Sequence, residues 1–152
     1  MLSVKRIIIA INFVCILCLA NAKVFQRCEL ARELLQHDVS KDDILDWVCI
    51  AEFESSFRTE AINYNNWDGS WDWGLFQLND RYWCDGGKQT ANVCKTSCND
   101  FLTDDISAAF NCARIIKNAH SHDHNGFGAW VAWKTRCQGW VESKQQTQKC
   151  LI

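Results

Sequence analysis

The chain has 152 residues, 48% of them hydrophobic and 22% charged, with ten cysteines, eight tryptophans and no proline. That balance excludes a disordered or collagen-like polypeptide, and the length suits one ordinary domain rather than several. The formal charge of −2 gives no whole-molecule reason to bind nucleic acid or an anionic membrane.

The N-terminus reads as a secretory leader over residues 1–22. Lys5 and Arg6 form a positive start, Ile7 to Leu19 is apolar apart from Asn12, and Ala20-Asn21-Ala22 supplies a small-x-small cleavage signal. The apolar run falls short of the roughly 20 residues that span a bilayer. Lys5 and Arg6 are two of the 16 basic residues, and all 18 acidic residues lie beyond position 22, so the remaining domain, residues 23–152, is near −4.

Cys15 and Cys18 leave with the leader. The other eight are Cys28, Cys49, Cys84, Cys94, Cys98, Cys112, Cys137 and Cys150. An even number in a secreted chain points to four disulfides, while spacing alone leaves their pairing open. Cys94 and Cys98 have a zinc-like spacing, but no second ligand pair follows them.

Four stretches have helical periodicity. Over 27–36, Leu30 with Leu34 and Ala31 with Leu35 fall one turn apart. Over 42–56, Asp42 and Asp43 suit the positive end of a helix dipole ahead of Leu45, Val48, Cys49 and Ala51. Residues 104–119 open with Asp104 and Asp105 and continue through Ile106, Phe110, Ala109, Ala113 and Ile116. Residues 129–137 include Ala129-Trp130-Val131-Ala132-Trp133, a helix expected to be buried on most sides. Between these, Asn63 to Asn66 and Asp68-Gly69-Ser70 favour turns, and Trp71, Trp73 and Leu75 alternate with Asp72, Gly74 and Phe76 as in a strand. Helices on both sides of a strand-and-turn insert, roughly 59–105, predict an α+β domain with a helical lobe, a small antiparallel β lobe and a cleft between them.

Two carboxyls stand out. Glu54 ends an apolar helical segment, where desolvation disfavours its charged form and equips it as a general acid. Glu52, two positions earlier, is expected to point elsewhere into solvent. Asp72 follows the Asp68-Gly69-Ser70 turn, with Asn66, Gln77 and Asn79 as candidate hydrogen-bond partners. Each carboxyl alone reads as an ordinary surface residue. Two carboxyls in opposed environments are what glycoside hydrolysis requires. Trp67, Trp71, Trp73, Tyr82, Trp83 and Trp130 offer faces on which sugars stack, with about half of them expected in the core instead.

Several segments together resemble chicken-type (c-type) lysozymes over the whole of residues 23–152. They are Lys23-Val24-Phe25-Gln26-Arg27-Cys28-Glu29-Leu30-Ala31, Trp47-Val48-Cys49 with Phe53-Glu54-Ser55, the pattern Asp68-Gly69-Ser70-x-Asp72-x-Gly74-x-x-Gln77-x-Asn79, and Ala129-Trp130-Val131-Ala132-Trp133. The resemblance implies Glu54 as proton donor and Asp72 as nucleophile or charge stabiliser. Trp130 would pack near Glu54, and Asn66 and Asn79 would surround Asp72. Gln77, Tyr82, Trp83, Asp123 and Ala129 would line sugar subsites. The implied disulfides are Cys28–Cys150, Cys49–Cys137, Cys84–Cys98 and Cys94–Cys112. The implied activity is that of a secreted, extracellular muramidase in defence or digestion. It would cleave β-1,4 bonds of bacterial peptidoglycan, or of chito-oligosaccharide, as a monomer with no cofactor, metal, nucleic acid or membrane partner.

Departures from the family accompany the match. Tyr82 stands where many members carry Trp, and the negative charge differs from basic antibacterial members. Asp100 to Ala109 holds too few carboxylates for the six to eight oxygens calcium prefers, so its aspartates read as helix caps. His120-Ser121-His122-Asp123-His124 reads as a solvated loop rather than a metal site; if Asp123 lines the cleft, its histidine neighbours would couple sugar binding to pH. The alternatives are a non-catalytic sugar- or partner-binding protein on the same fold and a membrane-disrupting protein, which the charge disfavours.

Overall fold

A helix begun by Ser40, whose residues from Ile44 to Ala51 are apolar except for Asp46, sets the centre of the molecule. The structure is a computed structural model that describes residues 23–152; the expected leader lies outside the described residues. The helices are α1 (Arg27–Gln36), α2 (Lys41–Ser55), α3 (Ser107–Ala119) and α4 (Glu142–Gln148). Ser40 caps α2 by accepting the Asp43 N–H at 3.1 Å, which satisfies one of the free donors at a helix start. The 42–56 expectation is therefore met to within a residue. The 104–119 expectation starts three residues too early. Asp105 accepts the Ser107 N–H at 2.9 Å and so precedes α3, while Asp100 accepts the Ser97 N–H at 3.2 Å ahead of a 3-10 turn at Cys98–Leu102.

The 129–137 expectation is corrected more strongly. A 3-10 turn covers His124–Ala129, Trp130 is extended, and a π-helical turn runs from Trp133 to Cys137. Trp130, Trp133 and Cys137 are buried but Val131 is 74% exposed. An apolar letter string does not reveal such a break, because burial here follows an irregular backbone rather than a helical face.

Three strands of two residues each, β1 (Ile62–Asn63), β2 (Asp72–Trp73) and β3 (Leu78–Asn79), form an antiparallel sheet in that order. The strand expected through Leu75 stops at Trp73, because Gly74 turns the chain at φ +75° and lies so close to Phe101 that an added Cβ would fall 2.4 Å from its carbonyl oxygen. The register sets Asn63 opposite Asp72 and Asp72 opposite Asn79. Directly opposed residues share a face of the sheet, so this pairing creates a row of one carboxylate between two amides.

Trp47, 1% exposed, sits at the core's centre. Its ring meets Phe76, Phe110, Phe127 and Trp130 edge-on at centroid separations of 5.0–5.5 Å, a favoured aromatic geometry. These contacts join α2 to α3, to the segment after it and to the turn between β2 and β3. Disulfides Cys28–Cys150, Cys49–Cys137, Cys84–Cys98 and Cys94–Cys112 match the pairing implied by the resemblance.

Candidate active site

Glu54 lies in the last turn of α2. The chain leaves that helix abruptly, with Ser56 and Phe57 both at positive φ, and Glu54 is left facing a hollow of about 290 Å³. Asp72, Gln77, Leu78, Asn79, Trp83, Ile116, Ala129, Trp130 and Val131 complete its lining. Helical residues form one wall and the sheet the other.

The two carboxyls have different surroundings. Burial pushes Glu54 up from the usual carboxylate range to about 7; the Asp72 charge adds to the rise, and the Ala132 N–H, donated to Glu54 Oε1 at 3.4 Å, opposes it. Asp72 instead accepts from three amides: Asn79 Nδ2 on Oδ1 at 2.8 Å, and Asn66 Nδ2 at 2.8 Å and Asn63 Nδ2 at 3.1 Å on Oδ2. Asn79 Nδ2 also donates to Ser70 Oγ at 2.7 Å, and Ser70 Oγ donates to Asp68 Oδ1 at 2.6 Å. The Ser70 donors and Arg81 hold Asp68 below its ordinary range. Asp72 is thus fixed by a chain of polar contacts reaching the outer turn, while Glu54 has one long contact and an apolar wall.

Most of the residues named from the sequence gather here, with several reassigned. Asn66 and Asn79 hold Asp72. Gln77 lines the hollow but donates to the carbonyls of Ala61 and Gly74 at 3.1 and 2.9 Å, so it secures the β2–β3 turn instead of Asp72. Trp130 Nε1 donates to the Phe76 carbonyl at 3.0 Å, which fixes its ring beside the hollow. Ala129 and Trp83 are on the wall. Tyr82 is half exposed beside Trp83, at 6.4 Å between centroids, and stands outside the hollow itself.

Asp123 has contacts of its own. Its carboxylate pairs with Lys134 Nζ at 2.8 Å and lies over Gly128, where an added Cβ would be 2.3 Å away. It lies outside the lining of the hollow that holds Glu54 and Asp72. Among the described residues, no group of three His, Cys, Asp or Glu is arranged to hold a metal ion. Glu52 is also corrected: it accepts from Arg27 Nη2 at 2.6 Å and its other oxygen is buried. The helical spacing gave its direction away from Glu54 but not the partner waiting there. Asn63, missed from the sequence, was detectable only through the strand register.

The aromatic residues divide as their burial dictates. Trp73 and Trp130 are buried, Trp71 and Trp83 are half-buried, and Trp67 is 96% exposed. No helix among the described residues is long and apolar enough to cross a membrane.

Comparison with known proteins gives a consistent result. A family model described as the C-type lysozyme/alpha-lactalbumin family matches residues 23–150. The chain is 50% identical over 123 residues to a protein named Lysozyme C of Scophthalmus maximus, covering 78% of this chain and 82% of that one. It is 46% identical to Lysozyme C-1 of Mus musculus, covering 78% and 81%. The crystal structure of a lysozyme from Litopenaeus vannamei superposes with a TM-score of 0.78 at 44% identity, covering 86% of this chain and 99% of that one.

Proposed function

The chain belongs to the C-type lysozyme/alpha-lactalbumin family and is a glycoside hydrolase of the lysozyme type, and we propose that it cleaves the β-1,4 bond between N-acetylmuramic acid and N-acetylglucosamine with retention of configuration. The observation that carries this reading is that Glu54 and Asp72 share one hollow with opposed surroundings. Lysozymes are themselves the type example of that split.

Glu54, which keeps its proton up to about pH 7, gives that proton to the glycosidic oxygen as the bond to the anomeric carbon breaks. Asp72, held by Asn63, Asn66 and Asn79, stabilises or traps the positive sugar from its other face. Water then attacks the anomeric carbon and yields its proton to Glu54, which restores the acid. Trp83 and Trp130 supply apolar walls for the sugar rings. The enzyme acts outside the cell, in defence or digestion, as a monomer without a cofactor, once residues 1–22 are removed from the domain at 23–152. The leader pattern and the four disulfides support that location.

The test is clearing of a peptidoglycan suspension, with ¹H NMR of the first product released from a soluble chito-oligosaccharide. Wild type should clear the suspension and release the β-anomer, and Glu54→Gln should lose at least about 100-fold in rate. Clearing by Glu54→Gln at the wild-type rate, or an initial α-anomer, would contradict the reading.

A further inference from the structure

Asp80 is a carboxylate that the reaction above does not use, and it is 1% exposed. Burying such a charge is costly unless donors surround it, so its partners indicate what holds it there. Oδ1 accepts the Trp71 N–H at 2.9 Å, and Oδ2 accepts from Trp73 Nε1 at 3.4 Å. Lys88 Nζ stands 3.9 Å from Oδ2. The carboxylate also needs the bare backbone of Gly86, where an added Cβ would be 2.9 Å from Oδ2.

These contacts converge on the strand that carries Asp72. β2 and β3 pair Asp72 with Asn79 and Trp73 with Leu78, and Trp71 and Asp80 are the next pair outward. There the Asp80 N–H donates to the Trp71 carbonyl at 2.8 Å, while the Trp71 N–H goes to the carboxylate. The side chain of Asp80 thus adds a rung to the ladder. It grips the residue before Asp72 and follows Asn79, which donates to Asp72. Lys88 extends the tie to the turn ahead of β2. Its Nζ donates to the Gly69 carbonyl at 2.9 Å and lies 3.9 Å from the centre of the Trp71 ring. Ser70, next in that turn, accepts from Asn79 Nδ2. Asp80 is not part of the hollow that holds Glu54 and Asp72. It lines a separate recess of about 110 Å³ with Lys88 and residues 68–70. The other charged groups of that recess, Arg81 and Asp68, pair with each other at 3.2 Å.

We propose that Asp80 is a positioning residue for the hydrolytic reaction: it grips Trp71 from β3, with Lys88 closing the turn beyond, and so fixes Asp72 where it faces the sugar. This rests on the glycoside hydrolase reading above. Asp80 does not touch the saccharide and acts only through Asp72. Its effect falls on the step in which positive charge develops, because a displaced carboxylate loses stabilisation of the transition state while the subsites still bind sugar. The part Asp80 plays is that of an acceptor, which an amide oxygen can also fill.

The test is steady-state kinetics on a soluble chito-oligosaccharide, with rates normalised to the folded fraction measured by circular dichroism. Asp80→Ala should lower kcat about 10- to 100-fold, the scale of loss for a misplaced reacting group, with KM unchanged within about twofold. Asp80→Asn keeps an oxygen for the Trp71 N–H and should restore kcat to within about threefold of wild type. Lys88→Met keeps an apolar stem over Trp71 and loses the ammonium. The Lys88 side chain is half exposed, so this variant should fold, and its kcat should drop about threefold or more with KM unmoved. A residue serving stability alone would lower the unfolding midpoint and leave kcat per folded molecule intact. That result in Asp80→Ala overturns the proposal; if Asp80→Ala does not fold, the same result in Lys88→Met does so. A loss confined to KM, or an Asp80→Asn as impaired as Asp80→Ala, also overturns it. Each of these outcomes leaves the hydrolase reading intact, which falls only if wild type hydrolyses no saccharide or Glu54→Gln matches its rate.

Discussion

Glu54 and Asp72 carry the same functional group and differ in what surrounds them. Glu54 is partly stripped of water and receives one long hydrogen bond; Asp72 receives three amide donors. Those donors act in the reaction as well as in the resting site, because they keep the carboxylate aimed at the sugar while positive charge develops. Asn79→Ala removes the 2.8 Å donor to Oδ1 and the tie to Ser70. A hydrogen bond to a charged group contributes about 1.5–3 kcal/mol, so kcat should fall about 10- to 100-fold, with little change in KM, in steady-state kinetics on a soluble oligosaccharide. The pH dependence follows from the raised value of Glu54. The protonated form is the active one, so kcat/KM should decline as pH rises through about 7, against a fall near 4.5 for an unperturbed glutamate. A pH–rate profile locates that limb.

At the level of elements, the helices owe their positions to signals that are local in the chain: Ser40 at a start, apolar residues one turn apart, and charges at the ends. The catalytic strand is not local in that sense. Its two residues, Asp72 and Trp73, pair because Gly74 bends the chain against Phe101. The alternating tryptophans pointed to a strand, but nothing in the letters placed its end at Trp73 or its register against Asn63. This is why Asp72, Asn66 and Asn79 were legible from sequence and resemblance while Asn63 was not. The same limit applies to Gln77 and Asp123, whose partners, Ala61 and Lys134, are distant in sequence or lie across a turn. Gly74→Ala is a direct probe of the bend. The 2.4 Å approach to a backbone oxygen and the positive φ both penalise a Cβ, and the cost should be about 2 kcal/mol or more. Urea denaturation should show the midpoint falling with little change in slope, and activity falling below what the folded fraction accounts for.

The whole molecule is a small acidic domain whose proposed substrate, a bacterial wall, also carries negative charge. Residues 23–152 carry about −4, so long-range electrostatics slow the approach to such a surface instead of steering it. Raising ionic strength from about 0.01 to 0.1 M shortens the screening length from about 30 to 10 Å. Initial rates of wall clearing should therefore rise over that range, while hydrolysis of a neutral oligosaccharide stays nearly flat. A clearing rate that falls steadily with added salt would show that a local basic patch governs capture. Four disulfides and the ring cluster about Trp47 join the helical and sheet elements, and that continuity keeps the two carboxyls facing one hollow.

Catalysis by this site requires that Glu54 remain an uncharged acid at a pH where ordinary glutamates have ionised. The most direct measurement is a ¹³C NMR titration of the Glu54 side-chain carboxyl in the intact protein, assigned by its loss in Glu54→Gln. A midpoint at about 7 is the predicted result; a midpoint near 4.5, the ordinary value of a solvated glutamate, would contradict the account.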